Sequence, residues 1–531
     1  MKRSWIAGLL LLAVILGGSW VRLTQLGERS FRGDELRHYF VAESLERGEG
    51  PRLPAGIEYG RGLDVSRLIG VFTPRVEDQE LAARLPGALF GVLNLLLFGA
   101  IAWAMGGPWA AVFATLLLAI YPEAVEQSRR VRFYTYQLNF GLIALFAGWK
   151  ALERTGQRAP YERRDVRRQW AWFGVAAIAF ALAGRVQIVT LTVMGAWMIA
   201  VALAGLVNAR LHGWSQWRRN VPLQATVAAV VLGLIPLVAR PELLGQILWA
   251  AFFVPAWVTG ADSPLVYYWA LTAAMPIVVA LAPLAFLATA RRQPALAVYL
   301  LIWFGVPFLL HSLVFPFKAD RFILVAHPAL FLAAGIAAAD GLSALIRGIP
   351  AWLGTTWSER ARRRVAVATC TIIALGAIVT LPAFNAARQI GSNLGSVMDR
   401  ENWSGTTVVL AEQADLDRLK LGSSDEFTPL FYWKRLDFHT VQGGGDVGAI
   451  SESTGVRRLQ TPDQIRHWFS DGAAVVVAVD SARLAYGAIN QALHSVLREE
   501  GTELCRGRCG SLLLYRWEFG PLEGEHTSGG L

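Results

Sequence analysis

Long apolar runs separated by short polar turns fill the first 384 residues of the chain. A helix that crosses a bilayer needs about 20 mostly apolar residues. Such runs lie near 4–21, 82–104, 108–122, 134–152, 170–184, 187–208, 222–239, 267–290, 296–315, 322–346 and 365–384. They predict an α-helical polytopic membrane protein with about eleven transmembrane helices, the runs at 108–122 and 170–184 being short for the task. Residues 244–258 are also apolar and fit a re-entrant or interfacial helix. From residue 385 the runs shrink to strand length. Thr407–Ala411, Ala473–Val479 and Ser511–Tyr515 read as strands, and 482–498 has helical spacing. Strands alternating with helices predict a small α/β domain over 385–519, followed by a disordered tail at 520–531.

Composition agrees with this pattern. Of 531 residues, 54% are hydrophobic and only 17% are charged, with 20 Trp and 26 Phe to sit at bilayer interfaces. A net charge of +10 could suggest nucleic acid, but here the cations collect in loops. With Lys2 and Arg3 placing the N-terminus in the cytoplasm, the even-numbered loops should be cytoplasmic as well. They carry Arg163, Arg164, Arg167 and Arg168; Arg210, Arg218 and Arg219; Arg291 and Arg292; and Arg360, Arg362, Arg363 and Arg364. That is the positive-inside bias, so no nucleic-acid partner is expected. The localisation expected is a multi-pass inner (plasma) membrane protein. Residues 1–384 form its membrane domain, 22–81 the first external loop, and the C-terminal domain is extracytoplasmic. Gly27-Glu28-Arg29 is a poor cleavage site, so 4–21 reads as a retained helix rather than a signal peptide. Cys505 and Cys509 fit either a disulfide or two free thiols, and Cys370 lies in an apolar run.

The polar residues of interest then share the external face. Phe31-Arg32-Gly33-Asp34-Glu35-Leu36-Arg37-His38-Tyr39-Phe40 follows the first apolar run. Gly33 permits a turn, Asp34 can cap a helix, and Glu35–Leu45 reads as an amphipathic helix outside the bilayer. A carboxylate at a helix N-terminus is held as the anion, the form a general base requires. His38 lies four residues after Asp34 on the same face, a spacing that can hold a divalent metal. Plain capping, with Glu35 and Arg37 solvated, explains the same residues. Glu80 and Arg84 sit at i,i+4 and can simply pair. The turn Tyr121–Tyr134 carries Arg129, Arg130 and Arg132 on the face where positive residues are disfavoured. An anionic ligand would explain them, arginine being a fork-like donor to phosphate, and so would ion pairs to Glu123 and Glu126. The turn Phe315–Phe322 adds Lys318 and Arg321, which can bind an anionic lipid head or snorkel to the headgroups.

Taken together these stretches resemble the GT-C class of polytopic glycosyltransferases. They are most similar to the bacterial relatives of protein O-mannosyltransferases (family 39) and of lipid A aminoarabinose transferases (family 83). Asp34-Glu35 resembles the acidic motif of the first external loop in that class. Glu80-Leu-Ala-Ala-Arg84-Leu-Pro-Gly resembles its entry to the second span, and Gln127–Tyr134 its second external loop. Lys318-Ala-Asp-Arg321-Phe322 with Pro328 resembles a late Lys-x-x-Arg-Tyr…Pro stretch, with Phe322 in place of the tyrosine. The likeness covers about residues 1–350 and, more loosely, the appended domain. It implies inverting transfer of a sugar from a polyprenyl-phosphate donor to a protein or glycolipid acceptor. Asp34 would be the catalytic base, aided by Glu35, and Arg129, Arg132, Lys318 and Arg321 would hold the donor phosphate. His38, Glu80, Arg84 and Tyr134 are further site candidates. Some members of the class use a divalent metal and others do not. The competing reading is a non-catalytic transporter or cell-envelope assembly protein. A transporter would place ionisable groups within its spans, where Arg185 is the main candidate, and by the loop count it too faces outward.

Overall fold

The computed structural model describes residues 4–27, 31, 33–54, 56–153, 163–187, 189–212, 223–228, 230, 263–315 and 318–352. Of the C-terminal part it describes 407–411, 438–440, 457–459, 474–480, 495–496, 498–499, 502–503 and 512–518. The chain divides into two compact units, residues 1–24 with 84–384, and residues 25–83 with 385–531.

The first unit is helical. Its helices are α1 (Ser4–Leu23), α4 (Gln79–Gly106, entered from the other unit), α5 (Pro108–Ile120), α6 (Pro122–Ser128), α7 (Tyr134–Glu153), α8 (Arg163–Val186), α9 (Thr190–His212), α10 (Val266–Ala274), α11 (Pro276–Arg292), α12 (Pro294–Leu313) and α13 (His327–Trp352). The second unit supplies α2 (Gly33–Glu46) and α3 (Leu63–Phe72). Proline explains many of the breaks. Pro108, Pro122, Pro276 and Pro294 each stand in the first turn of a helix, where no backbone donor is missed and φ is already helical.

Among the described residues six helices are long and apolar enough to cross a membrane: Trp5–Leu23, Gln79–Gly106, Arg164–Val186, Thr190–His212, Pro294–Leu313 and His327–Leu345. The number rises to eight if two bent pairs each count once. These are α5 with α6, bent by 64°, and α10 with α11, bent by 104°. The eleven expected from apolar runs therefore become six to eight here. The runs at 244–258 and 365–384, and most of 222–239, lie outside the described residues. Helix α7 fills 134–152 as expected but carries Thr135, Gln137 and Asn139, all buried, and is less apolar than the six. The run read at 322–346 starts later than read, at His327, because residues 320–323 form a 3₁₀ turn. Helix α8 starts earlier, at Arg163, because arginine is a good helix former even where it leaves the bilayer. Arg185 is exposed in the last turn of α8, so it is not a buried charge within a span.

Close packing between α5 and α13 depends on one small residue. A Cβ at Gly335 would stand 2.7 Å from the Ala110 carbonyl oxygen and 2.8 Å from both the Ala114 nitrogen and its Cβ. Backbone atoms cannot swing aside, so the helices would have to part. Gly335→Ala is expected to destabilise the protein by about 1–3 kcal/mol, read as a lower Tm of the purified chain in detergent. Elsewhere α12 is tied in through long side chains. Tyr299 Oη donates to the Leu145 carbonyl at 2.7 Å, and Trp303 Nε1 donates to the Val325 carbonyl at 3.1 Å.

In the second unit the described C-terminal strands form one mixed sheet. They are β1 (Thr407–Ala411), β2 (Phe438–Thr440), β3 (Arg457–Leu459), β4 (Ala474–Asp480), β5 (Thr502–Glu503) and β6 (Leu512–Glu518), in the order β3-β2-β1-β4-β6-β5. Strands β1 to β4 pair in parallel, with Val408 opposite Val476, while β6 runs antiparallel to β4 and β5. The valine run of β4 suits its place inside the sheet, between β1 and β6. The three strands read from the sequence correspond to β1, β4 and β6. The others are two or three residues long and too short to show a period. The helix expected at 482–498 falls mostly outside the described residues, as do Cys370, Cys505, Cys509 and the tail at 520–531.

Candidate functional site

Within the helical unit, several turns meet at one end of the bundle. The chain leaves α12 at Leu313 and reaches α13 at His327 through a turn held from three sides. Lys318, 6% exposed, donates from Nζ to the Phe315 carbonyl at 2.8 Å. The backbone N–H of Ala319 donates to Tyr267 Oη of α10 at 3.2 Å. Arg321 Nε donates to Tyr134 Oη, at the start of α7, at 3.2 Å. The Arg321 guanidinium also lies 5.9 Å from the Tyr134 ring centroid and 5.4 Å from that of Phe322, within cation–π reach. Below the turn, the His311 ring packs 4.5 Å from Phe315, and its Nε2 lies 3.2 Å from Thr192 Oγ1.

The electrostatics of this end are mixed. Burial pushes the Lys318 ammonium below its ordinary pKa. Burial raises the Asp320 carboxyl, and the neighbouring Arg321 opposes that rise. Glu123 on α6 lies within electrostatic reach of Asp320, Arg321 and Arg130, and accepts from Gln127 Nε2 at 2.8 Å. Arg130 pairs with Glu126, as the ion-pair reading of that turn foresaw. A buried cation beside a strained charge balance suits an incoming anion, which would favour the ionised lysine.

Of the cations expected at an anionic ligand, Lys318 and Arg321 share one turn, and Arg321 meets Tyr134. Arg132, two residues before Tyr134, is half-buried. Arg129 does something different. Its Nη1 donates to the Val21 carbonyl and, at 2.7 Å, to that of Thr24, so it grips the end of α1. Arg84 is 3% exposed near the start of α4. Sequence reading missed Tyr267, which sits in an apolar run, although an aromatic hydroxyl beside an external turn is a usable signal. It also left Phe322 without a hydroxyl. The hydroxyls at this turn come instead from Tyr134 and Tyr267.

The acidic stretch belongs to the other unit. The helix already includes Gly33, so Asp34 stands in its first turn rather than at the cap. Glu35 is 3% exposed and His38 is fully buried, so the helix is not simply apolar inside and charged outside. His38 Nδ1 lies 3.3 Å from Ser66 Oγ, and its ring meets Tyr59 edge-on at 5.8 Å. Tyr39 donates to Gln79 Oε1 at 3.2 Å. Burial, with Glu43, Glu46 and Glu80 nearby, pushes its phenol up to about 12. The Asp34 side chain lies outside the described residues. Among the described residues no three His, Cys, Asp or Glu side chains gather as a metal site.

No protein-family model matches the chain, and no curated protein matches it. Solved structures do. ArnT from Cupriavidus metallidurans in the apo state is 16% identical with a TM-score of 0.59, over 96% of this chain and 97% of that one. The same protein bound to undecaprenyl phosphate matches equally. The archaeal oligosaccharyltransferase AglB from Archaeoglobus fulgidus, in complex with an inhibitory peptide and a dolichol-phosphate, is 13% identical with a TM-score of 0.55. That match spans 94% of this chain and 73% of AglB. The chain has a GT-C-like fold. This fold and the apolar helices make it a multi-pass membrane protein, and the GT-C likeness spans nearly the whole chain.

The Tyr267–Ala319 bond offers a limited test of the cation turn. Tyr267→Phe removes the acceptor and leaves the Ala319 N–H unpaired, at a cost of about 1–2 kcal/mol. The loss is expected to show as a lower Tm of the purified chain in detergent.

Proposed function

We propose that this protein is a membrane glycosyltransferase that moves a sugar from a polyprenyl-phosphate donor to a protein or glycolipid acceptor on the extracytoplasmic face. The observation that carries the reading is the Lys318–Arg321 turn, with its buried cation and its second cation braced by Tyr134, in a chain of GT-C-like fold. Undecaprenyl phosphate in one neighbour and a dolichol-phosphate in another support a lipid phosphate as the donor's anion.

In this mechanism an acceptor oxygen attacks the anomeric carbon of the sugar from the face opposite the phosphate. The new bond forms with inversion as the anomeric C–O bond to phosphate breaks. The electron pair of that bond leaves with the polyprenyl phosphate, which needs charge neutralisation more than a proton. Lys318 and Arg321, aided by Arg132, supply it, and fixed donors mean little reorganisation is required during reaction. The acceptor's proton goes to Asp34 acting as general base, while Glu35 orients the acceptor. No step is routed through a metal.

Binding of undecaprenyl phosphate to the full chain in nanodiscs tests the anion site. The wild type should bind, and Lys318→Ala should bind about 10²-fold more weakly, the loss expected when a charged hydrogen-bond partner of a phosphate is removed. Equal binding by both would refute the site.

A further inference from the structure

One buried imidazole packs against three aromatic residues that hold the cation turn. His311, in the last turn of α12, is 1% exposed. Its ring centroid lies 4.5 Å from that of Phe315, 6.3 Å from that of Tyr267 and 6.4 Å from that of Phe322. Each of the three supports a different part of the turn. The Phe315 carbonyl accepts from Lys318 Nζ, the Tyr267 hydroxyl accepts from the Ala319 N–H, and the Phe322 ring lies against the Arg321 guanidinium. The Phe315 contact is the closest, and it leads to Lys318.

The imidazole is oriented through its Nε2. A threonine hydroxyl has one proton to give. That of Thr192, in the first turn of α9, goes to the Val189 carbonyl at 2.8 Å. Its oxygen therefore accepts from His311 Nε2, 3.2 Å away, and that nitrogen carries the hydrogen. Thr192 stands on a fixed base. Two residues earlier, Thr190 Oγ1 accepts from Gln137 Nε2 of α7 at 3.1 Å and donates to the Ala183 carbonyl of α8 at 3.1 Å. Three helices are thereby joined within two residues of Thr192. These side chains are buried, where leaving a hydrogen bond unmade costs more than making one gains.

Lysine needs such support. Its ammonium is a compact charge on a flexible four-carbon stem and has no fixed direction of its own. Anchoring one of its three donors at the Phe315 carbonyl gives it one. We infer that His311 and Thr192 are positioning residues for Lys318. Thr192 holds the imidazole, the imidazole holds Phe315, and the Phe315 carbonyl aims the ammonium at the anion. Histidine suits the place because it joins an aromatic face for Phe315 to an edge N–H for Thr192. The inference rests on Lys318 being an anion ligand, as the transferase reading has it.

The test measures Kd for undecaprenyl phosphate with the full chain in nanodiscs. Thr192→Val keeps the shape of the side chain and leaves His311 Nε2 without its acceptor. His311→Phe keeps a ring and removes the N–H. Each should weaken binding about tenfold, equivalent to about 1.4 kcal/mol and in the range of one hydrogen bond. Thr192→Ser, which retains the hydroxyl, should bind within about twofold of the wild type. The same two substitutions are then placed in a Lys318→Ala chain. Acting through Lys318, neither should weaken binding there by more than about twofold further, because residues that work as a unit do not add. A further full tenfold loss in that chain would show that the pair supports the fold and not the ammonium, and would overturn the positioning role. Wild-type affinity in Thr192→Val and His311→Phe would overturn it too, and should one of them fail to fold, the other decides. A Thr192→Ser loss as large as that of Thr192→Val would remove the hydroxyl from the account and overturn it likewise. A wild type that does not bind undecaprenyl phosphate would refute the anion site itself, and the inference with it.

Discussion

Asp34→Asn is expected to lower transfer by about 10²–10⁴-fold, the range a positioned general base contributes. The amide has nearly the same shape, but it cannot take a proton from the acceptor. Helix formation over Gly33–Glu46 should therefore survive, and so should membrane insertion and undecaprenyl phosphate binding. Glu35→Gln should lose less, since Glu35 orients rather than accepts a proton. The discriminating measurement is single-turnover transfer beside Tm for both variants. Wild-type-like turnover by Asp34→Asn would remove Asp34 from the chemistry.

Arg321→Ala should cost nearly as much, by a different route. The guanidinium is held by Tyr134 and lies against two aromatic faces, so it is positioned before the leaving phosphate gains charge. Removing one preorganised donor of this kind typically lowers kcat by about 10²–10³-fold. Arg321→Lys should recover only part of this, because an ammonium cannot bond Tyr134 and present a second fork edge to phosphate at once. Tyr134→Phe frees the guanidinium without removing it and should fall between the two. Transfer rates for the three variants at saturating donor would show that order. A Lys variant equal to wild type would mean that charge alone, without its fixed direction, is enough.

The apolar runs announced most of the helices because a bilayer imposes a length on them, and proline marked where several begin. They could not show where a helix ends beyond the bilayer, which is why α8 begins at Arg163 and not at Trp170. The meeting of Tyr134 and Arg321 was legible only as shared sidedness, from two short polar turns assigned to one face. Arg129 shows the limit of that reasoning. Its neighbours Arg130 and Arg132 look the same in sequence, yet it is Arg129 that donates to the carbonyls of Val21 and Thr24 at the end of α1. Nothing local specifies that partner, because it is about a hundred residues away and is brought close only by helix packing. Arg22, which donates to the Leu118 and Ala119 carbonyls, was missed for the same reason, as the first residue of the external loop that follows the apolar run at 4–21. Plain capping would leave Glu35 solvated, but α2 buries it together with His38, because tertiary packing overrides the simple helical pattern.

The central claim is transfer from a polyprenyl-phosphate sugar. Lipid-linked sugars extracted from a strain lacking this chain, compared with its parent, should contain an accumulated donor. The purified wild-type protein should consume that donor and release polyprenyl phosphate in equal amount to the sugar transferred, while Asp34→Asn should not. No accumulated species, or a donor left intact by wild-type protein that binds undecaprenyl phosphate, would contradict the account.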